Sequence, residues 1–346
     1  MKILLHIGAP KTGSSAIQTF LSMNRAVLAE RFGVVYPEYP FDKTARLGRP
    51  TTGNGAELAR LAIRTPPGDL GACIEALLPC VRSDATVVLS SELLWPMEEP
   101  TIHALREAFA PFGEFRVLFY AGGQARLLAS GYWQSVKNHG RKNPFPEYAR
   151  ERGGAFEYAR RLALFRRVLG DEGVTLRPYV RTAFPEGDIV LDFLASLGVP
   201  QDAAACLERP RNDVNATADA AIYVSSLVNN LAGGAPGWLQ NSAPPAELAA
   251  LVPMAVAPAR RPDALLSNAH LREVAERFRD ENRRLARMPG MEGVDLDEDN
   301  RAFVDAHAAL TAFPAATPME LLLLQSLIQL RSRVAELERK TDVGGV

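Results

Sequence analysis

Gly8-Ala9-Pro10-Lys11-Thr12-Gly13-Ser14-Ser15 stands between the apolar run Lys2 to Ile7 and a stretch whose apolar residues recur at helical spacing. The run is compact and ends at Gly8 and Pro10, which predicts a short buried strand. Beyond the loop, Ile17, Phe20, Leu21, Val27 and Leu28 fall on one stripe with Asn24 as its polar member, predicting a helix from Ser14 to about Phe32. A tight turn that feeds a helix aims its backbone N–H groups at one point, and Ser14 and Ser15 add hydroxyl donors. The segment therefore reads as a cradle for a phosphate or sulfate group.

The two glycines have the spacing of a nucleotide triphosphatase loop, but Lys11 precedes the second glycine instead of following it. Without a lysine after Gly13, and without an acidic Mg²⁺ partner on a second strand, a kinase or ATPase loses its usual β/γ-phosphate and metal groups. A metal-free phosphate donor fits better, and a nucleotide-dependent kinase is the weaker alternative.

Thr86 to Leu89 and Phe115 to Tyr120 are further strand candidates with a helical stretch, Ile102 to Phe109, between them. Gln124 to Asn138 and Phe156 to Leu169 read as helices, and Val174 to Tyr179 as another strand. This alternation predicts an α/β fold: a P-loop-like parallel sheet flanked by helices. Past about residue 200 the strand signals stop. Ala216 to Leu231, Asp263 to Met288 and Pro318 to Lys340 look helical, so the expected organisation is an α/β core over 1–210 and a helical extension over 211–346, packed as one continuous domain. Gly233 to Pro262, rich in Gly and Pro, reads as a surface connection or a flap. In the last helix Leu323, Leu327, Leu330, Val334 and Leu337 step by four and three, which suits packing on the same chain or a homodimer contact.

The chain has 346 residues, a formal net charge of -1, 47% hydrophobic and 23% charged residues, so no global basic field draws it to nucleic acid or to an anionic membrane. An anionic ligand must be caught locally. Cys73, Cys80 and Cys206 form no metal-ligand pattern and read as free thiols. No apolar run approaches the roughly 20 residues of a spanning helix, and Lys2 to Ile7 is too short for a secretory leader. The expectation is a soluble, cytoplasmic protein without an integral membrane segment.

The loop resembles that of the PAPS-dependent sulfotransferases, whose bacterial members open with a strand and a Lys-Thr-Gly-Ser-Ser or similar loop. Leu89-Ser90-Ser91-Glu92, Leu128-Ala129-Ser130-Gly131-Tyr132-Trp133-Gln134 and Arg177-Pro178-Tyr179 resemble the family in the same order, covering residues 1 to about 200. The resemblance implies PAPS as sulfuryl donor with no metal, and a hydroxyl or amine of a carbohydrate, lipid or small metabolite as acceptor. It implies that Lys11, Thr12, Gly13, Ser14 and Ser15 hold the 5′-phosphosulfate, that Lys11 offsets charge on the bridging oxygen, and that Ser130 binds the 3′-phosphate. The family's arginine, about eight residues before that serine, is absent here, where the sequence reads Ala121-Gly122-Gly123. Arg126 one turn on, or Arg211, could substitute, or donor use could be impaired and the protein retain only a binding role.

Sulfuryl transfer also needs a base for the acceptor proton. Glu92, just past a strand whose carboxyl end lies near the first loop, is the candidate, and His6 at the end of the first strand is the second. His139, in the basic turn Lys137 to Lys142, reads as a helix end or an acceptor contact, and Tyr132 and Trp133 read as core residues or cleft lining.

Overall fold

Five short apolar strands form one parallel sheet in the computed structural model, which describes residues 1–39, 45, 51–78, 84–204, 206–209 and 266–311. The strands are β1 (Lys2–His6), β2 (Val34–Val35), β3 (Thr86–Ser90), β4 (Glu114–Ala121) and β5 (Val174–Pro178), in the spatial order β2-β3-β1-β4-β5. In register, Leu5 lies beside Leu89 on one side and Val117 on the other. Helices cover both faces, as a parallel sheet built from crossover connections requires.

Alternation of side chains decides what each face meets. Val88, Leu118 and Tyr120 share a buried cluster with Ile17, Phe20 and Leu21 of α1 (Ser14–Met23) and with Phe193 of a later helix, Ile189–Ser196. On the opposite face Trp95 stacks on Phe119 at a centroid distance of 4.1 Å and lies near parallel to Phe165, with Tyr158 edge-on. Such ring pairs add about 0.5–1.5 kcal/mol each beyond area burial.

The helix predicted from Ser14 to Phe32 is two helices, α1 and α2 (Arg25–Phe32), broken at Asn24. The Asn24 side chain donates to the carbonyls of Phe20 and Glu208, each at 2.9 Å, and accepts from the Glu208 N–H at 2.8 Å. An asparagine that binds backbone in this way competes with the helix ladder. Further along come α3 (Gly55–Arg64), α4 (Leu70–Leu77), α5 (Glu99–Phe109), α6 (Gln124–His139), α7 (Phe145–Arg152), α8 (Tyr158–Leu169), α9 (Ile189–Ser196) and α10 (Gln201–Ala204). Within the predicted helix Asp263 to Met288 the described part divides into α11 (Asn268–Arg277) and α12 (Arg279–Leu285), and α13 (Leu296–Thr311) follows. Arg211, the helices expected over Ala216 to Leu231 and Pro318 to Lys340, and the stretch Gly233 to Pro262 lie outside the described residues.

The chain divides into two compact units that interleave in sequence. The first comprises the described residues of Met1–Leu127, Ala155–Val214 and Phe278–Asp299 and holds the whole sheet. The second comprises those of Leu128–Gly154, Asn215–Arg277 and Asn300–Val346. Among the described residues no helix is long and apolar enough to cross a membrane, and no cluster of three or more His, Cys, Asp or Glu has metal-binding geometry.

Candidate anion-binding site at the first loop

β1 is the central strand, so the loop that leaves it emerges at the carboxyl edge of the sheet, where ligands bind in open α/β folds. The loop is tied to both neighbours of β1. Ala9 donates its N–H to the Tyr120 carbonyl at 3.0 Å, Tyr120 donates back to the Gly8 carbonyl at 2.7 Å, and Ser91 donates to the His6 carbonyl at 3.0 Å. The turn itself requires left-handed backbone at Gly8 (φ 109°), Lys11 (φ 68°) and Gly13 (φ 78°). At Lys11, which has a Cβ, that conformation costs about 1–2 kcal/mol. A Cβ at Gly13 would also stand 3.1 Å from Ile189 Cδ1 and 3.3 Å from Tyr179 Cε2, so glycine is needed there for space as well. Thr12 is buried and closes the turn, its hydroxyl donating to the Ala9 carbonyl at 2.6 Å.

The next group arrives from the end of β3. Ser91 accepts the Leu93 N–H at 3.3 Å and its hydroxyl donates to the Thr52 carbonyl at 2.7 Å, which fixes the short turn Glu92–Leu94. That turn carries the Glu92 carboxylate into the first loop. Glu92 Oε1 accepts the Ser14 hydroxyl at close range and lies 3.4 Å from the Lys11 N–H. Burial lowers the pKa of the Lys11 ammonium, and the charge of Glu92 acts in the opposite sense. A half-buried cation, the start of α1 and a carboxylate thus converge on one loop; anion binding beside a proton acceptor is the chemistry this permits. Ser15, next on α1, is half-buried.

His6 is not at the surface of this site. The strand alternation points it, with in-register Ser90, under α1 and α9, where it is fully buried against the rings of Tyr120 and Phe193. Its Nδ1 lies 2.8 Å from Ser90 Oγ, which also accepts from Gln18 Nε2 at 3.1 Å, whereas Nε2 has no partner among the described residues. Burial pushes its pKa down to about 3, so it is neutral in ordinary buffers. The geometry gives it a structural place beneath the loop and no contact for an acceptor.

At the end of β4 the absent arginine has a physical counterpart. A Cβ at Gly122 would meet Tyr179 Cδ1 at 3.1 Å and Tyr179 Cβ at 3.2 Å, so the tyrosine stands where a longer side chain would begin. Arg126 lies over the Tyr179 ring at 5.1 Å and pairs with Asp299 at 3.5 Å, and the same Asp299 accepts the Gly123 N–H at 2.9 Å. Ser130 is further along α6, half-buried, and belongs to the second unit. There Tyr132 and Trp133 are both buried; Tyr132 packs edge-on to Phe145 and Tyr148, and Arg141 of the basic turn pairs with Glu151 at 2.5 Å.

Sequence reasoning missed Asp299 because it lies 176 residues from its partner and reads as an ordinary acid in a helix first turn. It also missed the core pair of Arg177 and Asp192, joined by two hydrogen bonds, one of 2.6 Å, with the Tyr120 hydroxyl donating to Asp192 at 2.8 Å. Burial and the Asp192 charge raise the Tyr120 pKa, which keeps it a donor. Arg177 thus ties β5 to α9 behind the loop.

No family model matches the chain. An uncharacterized protein of Archaeoglobus fulgidus is 31% identical over 90 residues, which are 26% of this chain and 24% of that protein. This match spans about a quarter of the relative's length. The crystal structure of a sulfotransferase from Alicyclobacillus acidocaldarius superimposes with a TM-score of 0.39 and 18% identity, covering 67% of this chain and 93% of that one.

Proposed function

We propose that the chain is a sulfotransferase whose first loop holds the 5′-phosphosulfate of a nucleotide donor, PAPS being the donor that the sequence resemblance implies. The observation that carries this reading is the convergence of Lys11, Ser14 and Glu92 on a loop at the carboxyl edge of a parallel sheet. The donor supplies a sulfuryl group. Lys11 and the first turn of α1 stabilise negative charge left on the phosphate oxygen when the S–O bond breaks, and partial burial strengthens that interaction. Glu92 takes the proton of the acceptor hydroxyl as its oxygen bonds to sulfur, and the electron pair of the broken bond stays on the phosphate. The residues suit the phosphosulfate half of PAPS. Among the described residues, the arginine just past the end of β4, Arg126, is paired with Asp299, and this favours a second reading, a binding protein of the same fold with impaired donor use.

Incubating the protein with PAPS and a panel of carbohydrate, lipid and small-metabolite alcohols, and following adenosine 3′,5′-bisphosphate release, tests the enzyme. Acceptor-dependent release is expected, insensitive to EDTA and reduced about 100-fold or more in Lys11→Ala and in Glu92→Gln. Nucleotide binding without turnover would select the second reading. Consumption of ATP that requires Mg²⁺ would select a kinase instead.

A further inference from the structure

Beside the loop, at the carboxyl end of β4, the chain supplies a carboxylate of its own. Asp299, in the first turn of α13, accepts the Gly123 N–H at 2.9 Å and pairs with Arg126 at 3.5 Å. Two residues earlier, Asp297 accepts from Asn282 Nδ2 at 2.8 Å, and Asn282 Oδ1 accepts from Gln124 Nε2 at 2.7 Å, so the first turn of α13 is fastened to the first turn of α6. The amino end of α6, which favours negative charge, is already served by Asp299. Arg126 is engaged by the same carboxylate and by the Tyr179 ring. The Asp299 side chain nevertheless keeps 22% of its surface exposed, so a group entering this corner meets it.

The loop and this corner are close in space. Ala9 is bonded to the Tyr120 carbonyl, and Gly123 is three residues on, a span of at most about 10 Å of backbone. A nucleotide whose 5′-phosphate sits in the loop can therefore bring its ribose to Asp299. From these contacts, and resting on the donor reading above, we infer that Asp299 is a specificity-determining residue: it selects a nucleotide with free ribose hydroxyls and disfavours one carrying a second phosphate. A carboxylate accepts a hydroxyl hydrogen bond and offers a phosphate no donor, and by pairing with Arg126 and taking the Gly123 N–H it occupies the cation and the amide that a phosphate would use. The favoured donor is then a nucleoside 5′-phosphosulfate without a 3′-phosphate, used in preference to PAPS.

Calorimetric titration of adenosine 5′-monophosphate and adenosine 3′,5′-bisphosphate into the wild type and Asp299→Asn tests this, with thermal melts to show that the variant folds. The wild type should bind the monophosphate at least as tightly as the bisphosphate. Asp299→Asn should shift the ratio of the two affinities about tenfold toward the bisphosphate. A wild type that prefers the bisphosphate tenfold or more overturns the inference and leaves the donor reading standing, and this comparison needs no variant. An affinity ratio unmoved in a folded Asp299→Asn overturns it as well. Neither nucleotide binding to either protein removes the donor reading and the inference together.

Discussion

Glu92 and His6 show how little separation in sequence says about role. His6 is two residues from the loop and Glu92 lies 78 residues from Ser14, yet strand alternation buries the first and a capped turn carries the second to Lys11 and Ser14. Glu92 occupies donors that an incoming anion would use. Glu92→Gln should therefore raise affinity for adenosine 5′-monophosphate several-fold, by removing like charge, while lowering transfer by about 10²–10⁴-fold. Calorimetry beside a turnover assay measures both, and weaker binding in the variant would contradict this placement. His6 has a pH consequence of definite sign. The unfolded chain takes up its proton below the ordinary 6.5, the folded chain only below about 3, so stability falls as pH drops through that window. The slope is about 1.4 kcal/mol per pH unit at most, and His6→Asn should remove that share in urea melts between pH 6.5 and 4. An unchanged slope would mean that the imidazole is not held neutral.

At the level of elements, β1, the loop and α1 were legible because a compact apolar run, two turn glycines and a helical stripe all point the same way. The two-residue strand β2 was not, since Val34 and Val35 are too few to show a period. The break at Asn24 was also hidden, because its cause is a contact with Glu208 on a distant segment. Gly13 is where the loop has least latitude. Gly13→Ala adds a Cβ at φ 78° and at 3.1 Å from Ile189, and should lower stability by about 1–3 kcal/mol in denaturant melts and weaken nucleotide binding. Full stability in that variant would show that the loop relaxes freely. Gly122→Arg, which on sequence grounds would restore a phosphate ligand, meets Tyr179 at its first side-chain atom. It should destabilise by a similar amount and gain no bisphosphate affinity.

For the molecule as a whole, the parallel sheet could be read from the rhythm of strands and helices, and its order β2-β3-β1-β4-β5 explains why the first loop meets Glu92 on one side and the end of β4 on the other. What the sequence could not show is the part played by residues from Phe278 to Asp299, which join the sheet-bearing unit across a long separation and bring Asp299 to Gly123. Composition carries no trace of such a contact, because a carboxylate that binds a distant amide looks like any surface acid. On the proposed function, a nucleotide phosphate enters at Gly8 to Ser15. Hydrogen exchange followed by mass spectrometry, with and without saturating adenosine 5′-monophosphate, addresses it most directly. Slowed exchange is expected in peptides covering Lys11 to Phe20, absent in Lys11→Ala; unchanged exchange there, or protection that persists without the lysine, would contradict nucleotide binding at the loop.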